Sequence, residues 1–204
     1  MLIDTSYFVG QLNIPNTGSV EVKENVGWFI DKYEVQLLRN ALGIDLYDEF
    51  LTALGASDGS YSNVTNGKLT LTALNQKWVD LLNGKKYIGR DGLRHVWQGF
   101  ISLYDDAAPK KSIIADYVYY FWTMDSMTQT LGTGEVSANG ENATNVFGNH
   151  KANFIWTEMC DHVRELVDFL DYSNSSDSNY YPGWGLYGRR RALEHFVKRN
   201  SFDI

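Results

Sequence analysis

At 204 residues, 44 % hydrophobic and 21 % charged, the chain has the composition of one globular domain long enough to bury a core, which excludes a low-complexity or disordered polymer. Its single cysteine, Cys160, excludes an intrachain disulfide and suits a reducing cytoplasm. The net charge of −7 argues against a general nucleic-acid binder, yet the sign is uneven: residues 189–199 hold five cations and one anion, so a basic end of +4 follows a body of −11.

No secretory signal is expected, because the opening residues lack a basic stretch followed by a long apolar core. Residues 1–25 show no sustained period, and Gly10, Pro15 and Gly18 break them up. They predict an extended arm whose Leu2, Ile3, Tyr7, Phe8, Val9, Leu12 and Ile14 need cover, from the chain's own body or from a neighbouring molecule. From Val26 the spacing turns helical, with Ile30, Tyr33, Leu37 and Ala41 on one face and Gly43 as the stop. Asp45 begins a second helix that buries Leu46, Phe50 and Leu54 and ends at Gly55, which makes a tight αα-corner.

Residues 56–68 are turn-rich, and Asp58-Gly59 and Asn66-Gly67 are strong signals for a small β-hairpin. A third helix starts near Thr72, buries Leu74, Trp78, Leu81 and Leu82, and stops at Gly84. Lys85 to Pro109 reads as loop, broken by Gly89, Gly92 and Gly99, with Val96, Trp97, Phe100 and Leu103 closing over the core.

Residues 112–131, SIIADYVYYFWTMDSMTQTL, form the most apolar run. Apolar side chains recur at three- and four-residue spacings over a stripe wider than a surface helix carries, so this helix must be covered on more than one side. Ser112 supplies an N-cap, and Gly132 and Gly134 supply the stop. Asp116 and Asp125 interrupt the run, which makes it a core helix and not a membrane span.

Gly132 to Asn149 is polar and reads as an exposed excursion. A helix from His150 to Leu170 follows, with Ile155, Met159, Val163 and Leu166 at helical spacing, then a Ser/Asn/Asp linker from Ser173 to Asn179. The aromatic turn YYPGWGLYG precedes a basic end with enough helix formers from Arg189 to Arg199 for one short helix. The expected fold class is therefore all-α: a helical bundle of about five helices around the central apolar helix 112–131, with extended N-terminal and C-terminal arms. Three parts follow: an arm over 1–25, a helical domain over 26–172, and a linker with an aromatic and basic arm over 173–204.

Nothing in the pattern supports catalysis, a metal or a cofactor. His95, His150, His162 and His195 have no partner at ligand spacing, and Asp105-Asp106 lacks a loop of further oxygen ligands. The glycine pairs 132/134 and 183/185 lack the preceding strand and third glycine of a dinucleotide loop. Cys160 falls within a helix and reads as a buried inert thiol. The candidate partner-binding residues are Tyr180, Tyr181 and Trp184 with Arg189, Arg190, Arg191, Lys198 and Arg199, facing an acidic protein surface or DNA phosphates.

The segments IDKYEVQLLRNALGIDLYDEF, KWVDLLNGKKY, SIIADYVYYFW and WTEMCDHVRELVDFL, with the N-terminal DTSYFVGQLNIPN, resemble small helical proteins of Bacteroides-type tailed phages, including the crAss-like group. Such proteins look like the head–tail connectors, or adaptors, that form a ring under the portal. The resemblance covers most of residues 1–170, and its motifs are packing motifs. It implies a mostly helical virion protein without enzymatic activity, made in the bacterial cytoplasm and placed at the head–tail junction. Its partners would be other copies of itself in a ring of about twelve, the portal protein, and tail or further ring proteins, with DNA passing through the lumen without specific binding and no membrane contact. The alternative expectation is a DNA-binding or packaging accessory protein that uses the basic C-terminal tail.

Overall fold

The computed structural model describes residues 1–57, 60–62, 64–65, 68–69, 76–101, 110–126, 128–131, 134–137, 149–176 and 180–196. The fold is mostly helical, with six α-helices and four two-stranded antiparallel pairs among the described residues. None of those helices is long and apolar enough to cross a membrane.

Helix α1 spans Val20–Leu42 and starts six residues before the sequence periodicity is picked up, since Val20 and Val22 are the only apolar side chains among its first six residues and are too few to set a period. The Ser19 hydroxyl caps it by accepting from the Val22 amide at 3.4 Å. Gly43, with φ of +78°, ends it and lets α2, Ile44–Leu54, leave at once. Two short pairs follow, β1 (Ala56–Ser57) with β2 (Ser60–Tyr61) and β3 (Val64–Thr65) with β4 (Lys68–Leu69). Their registers bracket Asp58-Gly59 and Asn66-Gly67, so each of the two turn signals has its own pair of strands. Helix α3 is described over Gln76–Asn83; the expected start at Thr72 and Leu74 lie outside the described residues, as does Leu103.

Lys85 to Trp97 is not the loop that the glycines suggest. It is a hairpin of β5 (Lys85–Ile88) and β6 (Arg94–Trp97), in register Lys86↔Val96 and Ile88↔Arg94. Helix α4, Ile113–Ser126, is the central apolar helix and packs on both α1 and α5. The Ser112 hydroxyl caps it, accepting from the Ile114 and Ala115 amides at 3.1 and 3.4 Å, and donates to the Phe100 carbonyl at 2.7 Å. It ends five residues short of Leu131, where β7 (Thr128–Leu131) pairs with β8 (Gly134–Ser137), so the expected polar excursion opens on a hairpin. Residues 138–148 lie outside the described residues.

Helix α5 spans Asn149–Ser176, running through the first part of the supposed linker, and α6 spans Leu186–Phe196. The core is a single aromatic-rich cluster. Tyr117 of α4 sits among Tyr33, Phe121, Trp156 and Phe196, with ring centroids 4.9–6.0 Å apart. The N-terminal segment belongs to it: Leu2, Ile3, Tyr7, Phe8 and Ile14 are buried against the chain's own body. The Leu2 amide donates to the buried Glu34 carboxylate at 2.8 Å, and Tyr61 donates to its other oxygen at 2.9 Å, tying the first residues and β2 to α1. Burial pushes the Glu34 carboxyl above its usual range, and these donors partly offset that.

Candidate functional site

The residues expected to meet a partner are divided by the structure. Tyr181 is fully buried, and its hydroxyl donates to the Lys77 carbonyl at 2.6 Å. Trp184 is buried and donates to Asp171 at 2.9 Å; Tyr180 is half-buried against Tyr181. Asn174 holds the aromatic turn in place, accepting from the Tyr181 amide at 2.8 Å and donating to the Tyr181 and Trp184 carbonyls at 2.9 and 3.1 Å. Tyr181 and Trp184 are therefore core residues and not surface anchors, because the turn docks on α3 and α5 and satisfies its polar atoms there.

Of the three arginines, Arg189 and Arg191 are tied to this body, and Arg190 stays on the surface of α6. Arg189 pairs with Asp171 at 3.2 Å, Arg190 with Glu194 at 2.9 Å one turn along α6, and Arg191 donates to the Asn40 side chain at 3.2 Å. Asn40 also meets the His195 ring at 2.9 Å. Arg189 and Arg190 keep exposed flanks, but their charge is shared with neighbouring acids. Lys198, Arg199 and the Asp105-Asp106 pair lie outside the described residues.

The exposed surface that sequence reading missed is the outer face of the β5–β6 hairpin. Strand alternation sends Tyr87, His95 and Trp97 inward. Tyr87 packs on Phe169 and Tyr172 of α5, and the Trp97 indole donates to the Leu81 carbonyl at 2.9 Å. The same alternation sends Lys86, Ile88, Arg94 and Val96 outward, all exposed, and Leu93 follows at the tip. Ile88 is 59 %, Leu93 64 % and Val96 46 % exposed. The tip is well formed: Gly89 and Leu93 are joined by a backbone bond of 2.9 Å, and Asp91 accepts from the Leu93 amide and contacts the His95 ring, both at 3.0 Å.

The hairpin base is locked by two glycines. A Cβ on Gly84 would meet the Trp97 carbonyl oxygen at 2.5 Å, and one on Gly99 would meet the Gly84 nitrogen; their φ angles are +90° and +86°. The result is a hydrogen-bonded hairpin laid on α5 with an outer face that is apolar and cationic. A signal existed in Asp91-Gly92 between two alternating segments, KKYI and LRHVW.

A second feature is a cleft of about 240 Å³ between the N-terminal segment, α4 and α5, lined among others by Tyr7, Leu12, Lys111, Asp116, Glu158 and His162. Burial, reinforced by Glu158, pushes the Asp116 carboxyl up to about 7, while burial pushes His162 below its usual value. Their 3.8 Å approach has the geometry of an ion pair. Both shifts favour the neutral forms, so at neutrality the contact is not a full salt bridge. The Glu158/His162 spacing of one helical turn was this cleft's signal in sequence. Cys160 is buried, its thiol donates to the Phe196 carbonyl at 3.1 Å, and burial pushes it up to about 11. Among the described residues no group of three His, Cys, Asp or Glu side chains could hold a metal ion.

Compared with protein-family models, with curated proteins and with solved structures, the chain matches none.

Proposed function

We propose that this chain is a non-enzymatic structural subunit of a tailed virion, forming the ring that joins the capsid portal to the tail, with DNA passing through its lumen. The observation that carries this reading is the outer hairpin face, which exposes Ile88, Leu93 and Val96 beside Lys86, Arg90 and Arg94 on a chain of net charge −7. Exposed apolar side chains clustered on one face and rimmed by charge mark a protein interface. The sequence resemblance to connector proteins supplies the kind of assembly. An acidic body also suits a lumen that does not grip the duplex, since like charge lets it slide.

Native mass spectrometry of the full chain, alone and with a portal protein, tests the reading. A ring of about twelve copies, alone or only on the portal, is expected; a chain that stays monomeric and ignores the portal overturns it. The second reading, a packaging accessory that holds DNA, draws its support from the same three hairpin cations. It requires salt-dependent binding to duplex DNA, whereas a connector is indifferent to DNA even at low salt. The contacts of Arg189 with Asp171 and of Arg191 with Asn40 weigh against these two arginines as the phosphate contact.

A further inference from the structure

Helix α1 carries on its solvent side a stripe that complements the hairpin. Val20, Glu24, Trp28, Asp31 and Val35 are all exposed, Val20 at 70 % and Trp28 at 55 %. At 100° per residue these five positions fall within an arc of about 80°. Two carboxylates thus alternate with three large apolar side chains, and no cation lies inside the arc; Lys32, whose ammonium sits 4.7 Å from the Trp28 ring centroid, flanks it. The hairpin face has the opposite composition, with Lys86 and Arg94 on one diagonal and Ile88 and Val96 on the other. Neither Glu24, Asp31, Lys86 nor Arg94 forms an ion pair with any described residue.

The dimensions agree. Diagonal positions on an antiparallel pair lie about 7–8 Å apart, and Glu24 and Asp31 are seven residues apart, or about 10.5 Å along the helix. The long arms of Lys86 and Arg94 span the difference. The patches lie on separately packed elements, since β6 rests on α5 while α1 rests on α2, α4 and α6. A two-fold contact of hairpin on hairpin would set Lys86 and Arg94 against their own copies, and α1 on α1 would set carboxylate against carboxylate. Only a contact of hairpin on α1 pairs the charges; made reciprocally it closes a two-fold dimer, and made head to tail, as the ring reading requires, it builds a ring.

We infer that the outer face of the β5–β6 hairpin of one copy docks on the Val20–Val35 stripe of α1 in the next copy, Lys86 and Arg94 meeting Glu24 and Asp31 around an apolar centre that includes Trp28. This rests on the ring reading and assigns the surfaces that close it. The test uses the full chain, carrying either Lys86→Glu with Arg94→Glu or Glu24→Lys with Asp31→Lys, under the conditions in which wild type assembles. All four positions are exposed, and far-UV circular dichroism checks that each variant is folded.

Each variant alone should associate at least about tenfold more weakly than wild type, because every copy then presents like charge to the next. Mixing the two, or placing all four changes in one chain, should restore assembly. Trp28→Ala should weaken association without altering its salt dependence. Wild-type assembly by both charge variants, or no rescue on mixing, overturns the docking pair and leaves the ring reading standing. Charge variants that form normal rings but fail to bind the portal assign the hairpin to the portal instead, which also overturns it. A wild type that remains monomeric with and without portal protein overturns the ring reading, and the docking pair with it.

Discussion

Burial of Asp116 implies a pH dependence of stability that can be worked from the structure. In the unfolded chain its carboxyl titrates near 3.8, and in the native cleft burial and Glu158 raise it to about 7. The proton is therefore held more tightly in the folded state. The stabilisation this group offers is complete below pH 3.8 and is lost as the pH rises through about 7, where the native state must carry a poorly solvated charge. A displacement of about three units at 1.36 kcal/mol each sets a ceiling of about 4 kcal/mol. The side chain keeps 17 % of its exposure, which lowers the expected cost to about 2–3 kcal/mol at pH 8. Asp116→Asn keeps the shape and removes the charge. Urea denaturation of wild type and variant at pH 4, 6 and 8 should show nearly equal stability at pH 4 and a variant advantage growing to about 2–3 kcal/mol at pH 8. Taking the difference between the two proteins removes titrations they share. A variant that is no more stable than wild type at pH 8, or an advantage that does not change with pH, would refute the assignment of Asp116 as a carboxyl raised by burial.

Gly99→Ala should cost about 2–4 kcal/mol in the same denaturation assay, since the new methyl meets the Gly84 backbone at a φ of +86°. Amide exchange across 85–97 should report loosening of the hairpin before the rest of the fold. Asn174→Ala removes three hydrogen bonds at about 1 kcal/mol each. A loss of about 2–3 kcal/mol and faster tryptic cleavage at Arg189 to Arg191 are expected; unchanged cleavage would mean that Asn174 does not hold the aromatic turn.

The features legible in sequence are those set by local periodicity and capping. The central helix announced itself through an apolar stripe too wide for a surface helix, and Ser112 through its place before that stripe. Gly43 marked the α1–α2 corner and Gly55 the end of α2, because a positive φ, which glycine adopts freely, turns the chain at both. The hairpin signals Asp58-Gly59 and Asn66-Gly67 depend on four residues each, so they too could be read locally.

What sequence alone determined is the mostly helical class, the order of the main helices, the apolar centre of the fold and the identity of Cys160 as a buried thiol. Tertiary structure decided where the N-terminal segment and the aromatic turn lie and which surface is left uncovered. YYPGWGLYG reads as an exposed aromatic arm; its partners Asn174, Asp171 and the Lys77 carbonyl lie 7 to 104 residues away, and no local pattern carries such contacts. Lys86, Ile88, Arg94 and Val96 share one face only because β5 pairs with β6 in one register, while α5 covers the opposite face. Burial is a property of the assembled chain: the same aromatic side chain is an anchor in one packing and core in another, and only the packing chooses.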